Sequence, residues 1–128
     1  MSSPSETRRF YVQRLLNLYQ LVPGTTGNLR RSDRNLAAKL HDQGVSLDMI
    51  RGAMILAVAR RTFRSKSAPR LPPIASLSYF RPVLEELSTE PPEPGYLDYL
   101  RHKLSAVAPD FVAGLDHQLP RPHAHQLS

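Results

Sequence analysis

The sequence predicts an all-α fold: a small single-domain bundle of about five helices, followed by a disordered, proline-rich C-terminal tail. Three observations carry that prediction. Apolar residues recur at spacings of three and four over segments of helical length. No segment alternates apolar and polar residues between hairpin turns, so strands have no support. Proline and glycine punctuate the chain at Pro23-Gly24, Gly44, Pro69 to Pro73 and Pro91 to Gly95, and cut it into helix-sized pieces.

The first helix starts at Ser3-Pro4-Ser5-Glu6, where Ser3 caps, Pro4 suits the first helical position and Glu6 completes a capping box. It runs to about Val22. Tyr11, Leu15, Leu18 and Val22 form one apolar row, with Val12, Leu16 and Tyr19 beside it. The polar loop to Arg31 contains Gly-Thr-Thr-Gly, which lacks both a preceding strand and the Gly-Lys-Ser/Thr ending of a phosphate loop. Ser32 or Asp33 is expected to cap a second helix over Arg34 to Asp42, with Leu36, Ala37 and Leu40 inward and Gly44 closing it in the left-handed conformation.

Ser46 caps a third helix that reaches Arg64. Leu47, Ile50, Met54 and Ala57 make one face, and Ile55, Leu56, Ala59 and Phe63 fill much of the rest, so this helix is expected at the centre of the bundle. On this pattern Met54 is core and Arg51 faces solvent. Ser65 to Pro73 is a linker or extended crossing, and a short turn with Phe80 in the core then leads into a fourth helix ending near Leu87. Leu97, Leu100 and Leu104 mark a fifth, Tyr96 to Val107. Residues 1–107 are thus expected to form the helical domain, basic over 1–70 and acidic over 71–107. Residues 108–128 read as a weakly structured or disordered tail, dispensable for folding.

At 128 residues there is room for one core. Cysteine is absent, which excludes disulfides, thiolate zinc sites and cysteine nucleophiles. The start of the chain lacks a basic stretch followed by an apolar run, and the longest near-apolar stretch, Gly52 to Ala59, falls far short of the roughly 20 residues of a membrane span. A cytoplasmic protein without membrane contact is expected. The net charge of +6 is unevenly distributed: residues 1–70 hold thirteen basic side chains against four acidic ones, while residues 71–128 hold four against seven. Such asymmetry points to a polyanion-facing half and a half that faces solvent or a protein partner.

The candidate site follows from this charge. Arg60, Arg61, Arg64, Lys66 and Arg70 place five cations in eleven residues, and Arg30, Arg31 and Arg34 can join them. Guanidinium groups are planar, permanently charged donors suited to phosphate oxygens, and a helix C-terminus needs only one or two cations to offset its dipole. The pair Arg34–Asp42 and Ser46–Arg64 lacks the glycine placement of a DNA-reading helix-turn-helix and reads better as a packed hairpin of helices. His41, His102, His117, His123 and His125 show no metal-ligand spacing on a rigid element. Glu85, Glu86, Glu90 and Glu93 sit where carboxylates meet water, and no serine stands in a nucleophile elbow. No enzyme activity, cofactor or metal is expected.

Asp33-Arg34, Leu36-Ala37, Leu40, Gly44-Val45, Ile50 and Ala53, followed by Pro73-Ile74, Ser76 and Tyr79-Phe80, resemble the C-terminal helical modules of replication-initiator and helicase-loader-like proteins from plasmids, phages and integrated mobile elements. The likeness covers about residues 32–87. It implies a helical pair, a proline-flanked segment ending in a Tyr-Phe turn and a final helix, in a replication accessory without the winged-helix domain that such proteins use for origin binding. The expected function is a non-enzymatic DNA-associated accessory protein of a mobile element that binds nucleic-acid backbone. The alternative is a protein–protein adaptor or inhibitor whose acidic C-terminal half meets a partner.

Overall fold

Ten consecutive residues of one helix, Ile50 to Ala59, are buried, and the other helices are arranged to cover them. A computed structural model describes residues 4–119. In chain order these are α1 (Pro4–Leu21), α2 (Arg31–Asp42), α3 (Leu47–Thr62), a 3-10 turn (Leu77–Phe80), α4 (Arg81–Thr89), α5 (Tyr96–Val107) and α6 (Pro109–Gln118). Among the described residues no strand forms, and the one extended pairing is a parallel bridge between Thr25 and Ile74. The expected cap at Ser3 and the chain beyond Leu119 lie outside the described residues.

Helix α1 packs against α2 on one side and α6 on the other, while α3 is covered chiefly by α4, α5, the 3-10 turn and α1. The α1–α2 contact is pinned where Arg8 pairs with both carboxylate oxygens of Asp42 at 3.0 Å and the Tyr11 hydroxyl donates to the Val45 carbonyl at 2.7 Å. Burial pushes the Tyr11 hydroxyl up to about 12, so this donor keeps its proton at any physiological pH. The turn between α2 and α3 is as expected. Gly44, at φ +80°, donates to the His41 carbonyl and Val45 to that of Leu40, both at 3.0 Å, and the Ser46 hydroxyl accepts from the Met49 amide at 3.0 Å.

Four expectations are corrected. The α2 helix starts at Arg31 with Arg30 as its cap, two or three residues earlier than Ser32 or Asp33 would give. Asp33 instead works from within the first turn. At 1% exposed, its carboxylate accepts from the Arg30 amide and from the Leu77 amide, each at 2.9 Å, so one buried acid holds both the start of α2 and the start of the 3-10 turn. The Tyr19 hydroxyl is buried nearby with no hydrogen-bond partner among the described residues; burial, and secondly the charge on Asp33, raise it above the usual phenol value. Secondly, α3 stops at Thr62, and Phe63 caps it at the surface instead of entering the core.

Arg51 is the third correction: it is only 5% exposed. Its Nη1 donates to Asp116 Oδ1 at 3.3 Å and to the Leu119 carbonyl at 3.1 Å. The fourth concerns residues 108–119, which are no tail. Pro109 opens α6, and Phe111, Val112, Leu115 and Leu119 are buried in the common core. The closing carbonyls of His117 and Gln118 accept from Arg14 on α1 at 3.1 and 3.2 Å, and Asp116 pairs with Arg101 on α5 as well as with Arg51. Cations from three other helices therefore satisfy the end of α6, which has weak periodicity of its own.

Two predictions follow from these contacts. Truncation after Ala108 removes Phe111, Val112, Leu115 and Leu119 and leaves Arg51 buried without an acceptor, so cooperative thermal unfolding should be lost; retention of the full-length midpoint would show α6 to be dispensable. Met54→Asp and Arg51→Asp should both unfold the chain, the first by burying an unpaired charge and the second by opposing Asp116 with a like charge, each at a cost on the order of several kcal/mol. Circular dichroism of the two variants checks this, and a folded Arg51→Asp protein would contradict the clamp.

Candidate nucleic-acid interface

The expected basic cluster divides into residues that hold the fold together and residues that have no such task. Arg60 belongs to the first group. Its Nη1 donates to Glu86 Oε1 at 2.9 Å and its Nη2 to the other oxygen, so a two-pronged pair joins α3 to α4. The guanidinium holds the Glu86 carboxyl below the usual carboxylate range. Arg61 is a latch on the crossing segment: Nη2 donates to the Pro72 carbonyl at 2.9 Å, Nη1 to the Tyr79 hydroxyl at 3.4 Å, and its guanidinium carbon lies 5.6 Å from the Tyr79 ring centroid. Gly24 makes room for it. A Cβ there would stand 3.2 Å from Arg61 Nη2, and the backbone has φ +89°. Tyr79 is thus an exposed partner of Arg61, and Phe80 is core, as expected.

Arg64, Lys66 and Arg70 form the second group. They follow the end of α3 on a loop folded back by the Ala68 amide, which donates to the Ser65 carbonyl at 3.0 Å, and none of them makes an ion pair among the described residues. Arg61, Arg64 and Arg70 line a shallow concavity of about 310 Å³ whose walls include no carboxylate.

Arg30, Arg31 and Arg34 occupy the opposite kind of position. They stand at the cap, first and fourth positions of α2, exposed and without an ion pair among the described residues. Cations at a helix N-terminus oppose the dipole, so stability gives no reason for them, and an anion there would be drawn by both the side chains and the helix. One crossing segment links the two groups. Arg61 holds its Pro72 carbonyl and Asp33 its Leu77 amide, while Ile74 exchanges hydrogen bonds with Gly24 and Thr26 at 2.7 and 3.1 Å. Five residues of chain keep those two anchors within roughly 17 Å of each other.

Sequence reasoning missed a set of exposed aromatic residues beside this cluster. Phe63, Tyr96 and Tyr99 are 38%, 44% and 56% exposed. The Lys103 ammonium stands 4.3 Å from the Phe63 ring centroid and 5.6 Å from that of Tyr99, and the Tyr96 and Tyr99 rings are 6.4 Å apart. The signal was present. Once Leu97, Leu100 and Leu104 are assigned to the core, Tyr96, Tyr99 and Lys103 fall together on the neighbouring stripe of α5 at spacings of three and four.

The helix-turn-helix layout has no place in this arrangement, because α3 is covered over its whole middle and presents no face to a groove. A larger concavity lies elsewhere, about 620 Å³ between the α2–α3 turn and α4, with Leu40, Val45, Met49 and Leu84 among its walls. Among the described residues no three His, Asp or Glu side chains are grouped to hold a metal ion, and no helix is long and apolar enough to cross a membrane. Comparison of the chain with protein-family models, curated proteins and solved structures finds no match.

The Arg60–Glu86 pair has a titration signature. Its contribution to stability is present above the ordinary carboxylate value and is lost as pH falls through the depressed value of Glu86. In the Arg60→Gln variant, an NMR titration should find the Glu86 carboxyl moved up toward its ordinary value, and an unchanged midpoint would refute the pairing.

Proposed function

We propose that this chain is a non-enzymatic, DNA-associated accessory protein of a mobile genetic element that grips nucleic-acid backbone without strong sequence choice. The observation that carries the proposal is the division of the arginines. Arg64 and Arg70 line a carboxylate-free concavity with Lys66 on the same loop, and Arg30 and Arg31 sit against a helix dipole with Arg34 one turn on, so six cations are retained without an ion pair among the described residues. Arg60 and Arg61 contribute to the field while serving as struts. The resemblance of residues 32–87 to replication-initiator modules supplies the link to mobile elements and replication.

A second proposal, the adaptor, has its own support: Glu85, Glu90, Glu93 and Asp110 are exposed and make no ion pair among the described residues, which suits a basic protein partner.

Fluorescence anisotropy with two duplexes of unrelated sequence, at several salt concentrations, separates the two. Changing Arg64, Lys66 and Arg70 together to Gln removes the three charges, keeps polar side chains of good helix propensity and disturbs no ion pair among the described residues. Affinity for both duplexes should fall alike, and the slope of log affinity against log salt should shrink by about two to three units, at about 0.9 per phosphate. Negligible binding near ~0.15 M salt before and after the change would favour the adaptor. An unchanged slope in a protein that does bind would remove these three residues from the interface.

A further inference from the structure

We infer that the aromatic group formed by Phe63, Tyr99 and Tyr96 is a base-stacking platform, and that the polyanion this protein takes is single-stranded; the inference rests on the nucleic-acid reading above. Phe63 comes from the end of α3 and the two tyrosines from one stripe of α5; the Tyr96 and Tyr99 rings lie 6.4 Å apart, and Lys103 stands over both Tyr99 and Phe63, so the three exposed rings share one patch of surface. Arg64 follows Phe63 directly and opens the basic loop, which places phosphate-binding cations next to the rings. In a duplex the faces of the bases are stacked on one another and unavailable. In a single strand each base has a face to offer, and aromatic rings interleaved with cations are how such strands are held without sequence readout.

Two features favour this occupant over a protein partner or a second copy. The rings do not form a continuous apolar patch, because Lys103 stands among them, over both Phe63 and Tyr99, and lysine is depleted from the cores of protein interfaces. The nearby acids do not close the Tyr99–Phe63 end. Glu86 is taken up by Arg60, and Asp98 acts electrostatically on Arg101. Glu93 lies one turn before Tyr96, whose amide donates to its carbonyl, so the Tyr99–Phe63 end is the better place for a phosphate-linked base. When a base takes the covered face of Phe63, the exposed Lys103 can turn its ammonium to the adjoining phosphate.

The test compares a fluorescein-labelled oligothymidine with a duplex of equal length, using the full chain. The wild type should bind the single strand more tightly, with quenching of tyrosine fluorescence. The double variant Phe63→Leu with Tyr99→Leu should lose at least about tenfold in single-strand affinity while its salt slope and its duplex affinity stay the same, because stacking releases no counterions. Should the double variant prove unfolded by circular dichroism, Tyr99→Ser alone carries the test, since that side chain stands mostly in solvent. If the ring variants bind both nucleic acids as the wild type does while the Arg64/Lys66/Arg70 variant is weakened, the stacking platform is overturned and backbone binding stands. If the wild type binds neither, both fall. If the ring variants instead turn a dimer into a monomer in light scattering and leave single-strand affinity alone, the stripe is a self-association face and the inference fails.

Discussion

A helix that is apolar on every side must be wrapped, and α3 imposes that requirement on everything else in this protein. From Ile50 to Ala59 it has no face to give to water, so one layer of partners cannot suffice. The cover is supplied piecewise by α1, the 3-10 turn, α4 and α5, each amphipathic and each contributing one stripe. The exception inside the stretch is Arg51. A guanidinium at this depth is tolerated only with acceptors at hand, and those come from α6 through Asp116 and the Leu119 carbonyl. The need to satisfy Arg51 and the need of α6 for capping are met by the same contacts.

Buried polar groups act similarly at the other end of the molecule. Asp33 accepts two backbone amides that are 47 residues apart in neither element's own hydrogen-bonding scheme: one opens α2, and the other, 44 residues later than Asp33, opens the 3-10 turn. With Arg61 on the Pro72 carbonyl, it sets the course of the crossing segment between α3 and α4. That course is what lays the N-terminus of α2 and the C-terminus of α3 along one stretch of chain. The polar anchors thereby lock a segment with little helical content and tie it to both helix ends.

Charge in this protein is consequently of two kinds. Arg8, Arg14, Arg51, Arg60, Arg61 and Arg101 are committed to carboxylates or carbonyls of other elements. Arg30, Arg31, Arg34, Arg64, Lys66 and Arg70 have no such commitment, and two of the three α2 cations sit in the first turn or at its cap, where the dipole counts against them. Counting arginines along the chain cannot separate these kinds, because the distinction lies in which acceptor folds up beside each one.

The helical class, the positions of the breaks, the capping of α3 by Ser46, the left-handed Gly44 and the central place of α3 are all legible in the amino-acid order, since they follow from local periodicity and from backbone preferences of single residues. It also contained the aromatic stripe of α5, which is a matter of spacing alone. The burial of Arg51, the packing of α6 into the core, the exposure of Phe63 and the role of Asp33 emerge only when the helices pack. Each depends on a partner between 15 and 104 residues away: Asp116 and Leu119 for Arg51, Arg14 and Arg101 for α6, Lys103 for Phe63, Leu77 for Asp33. Periodicity reports which face of a helix is apolar, but whether a charged or marginal segment is buried turns on acceptors brought in from distant parts of the chain, and those meet only once the helices have packed.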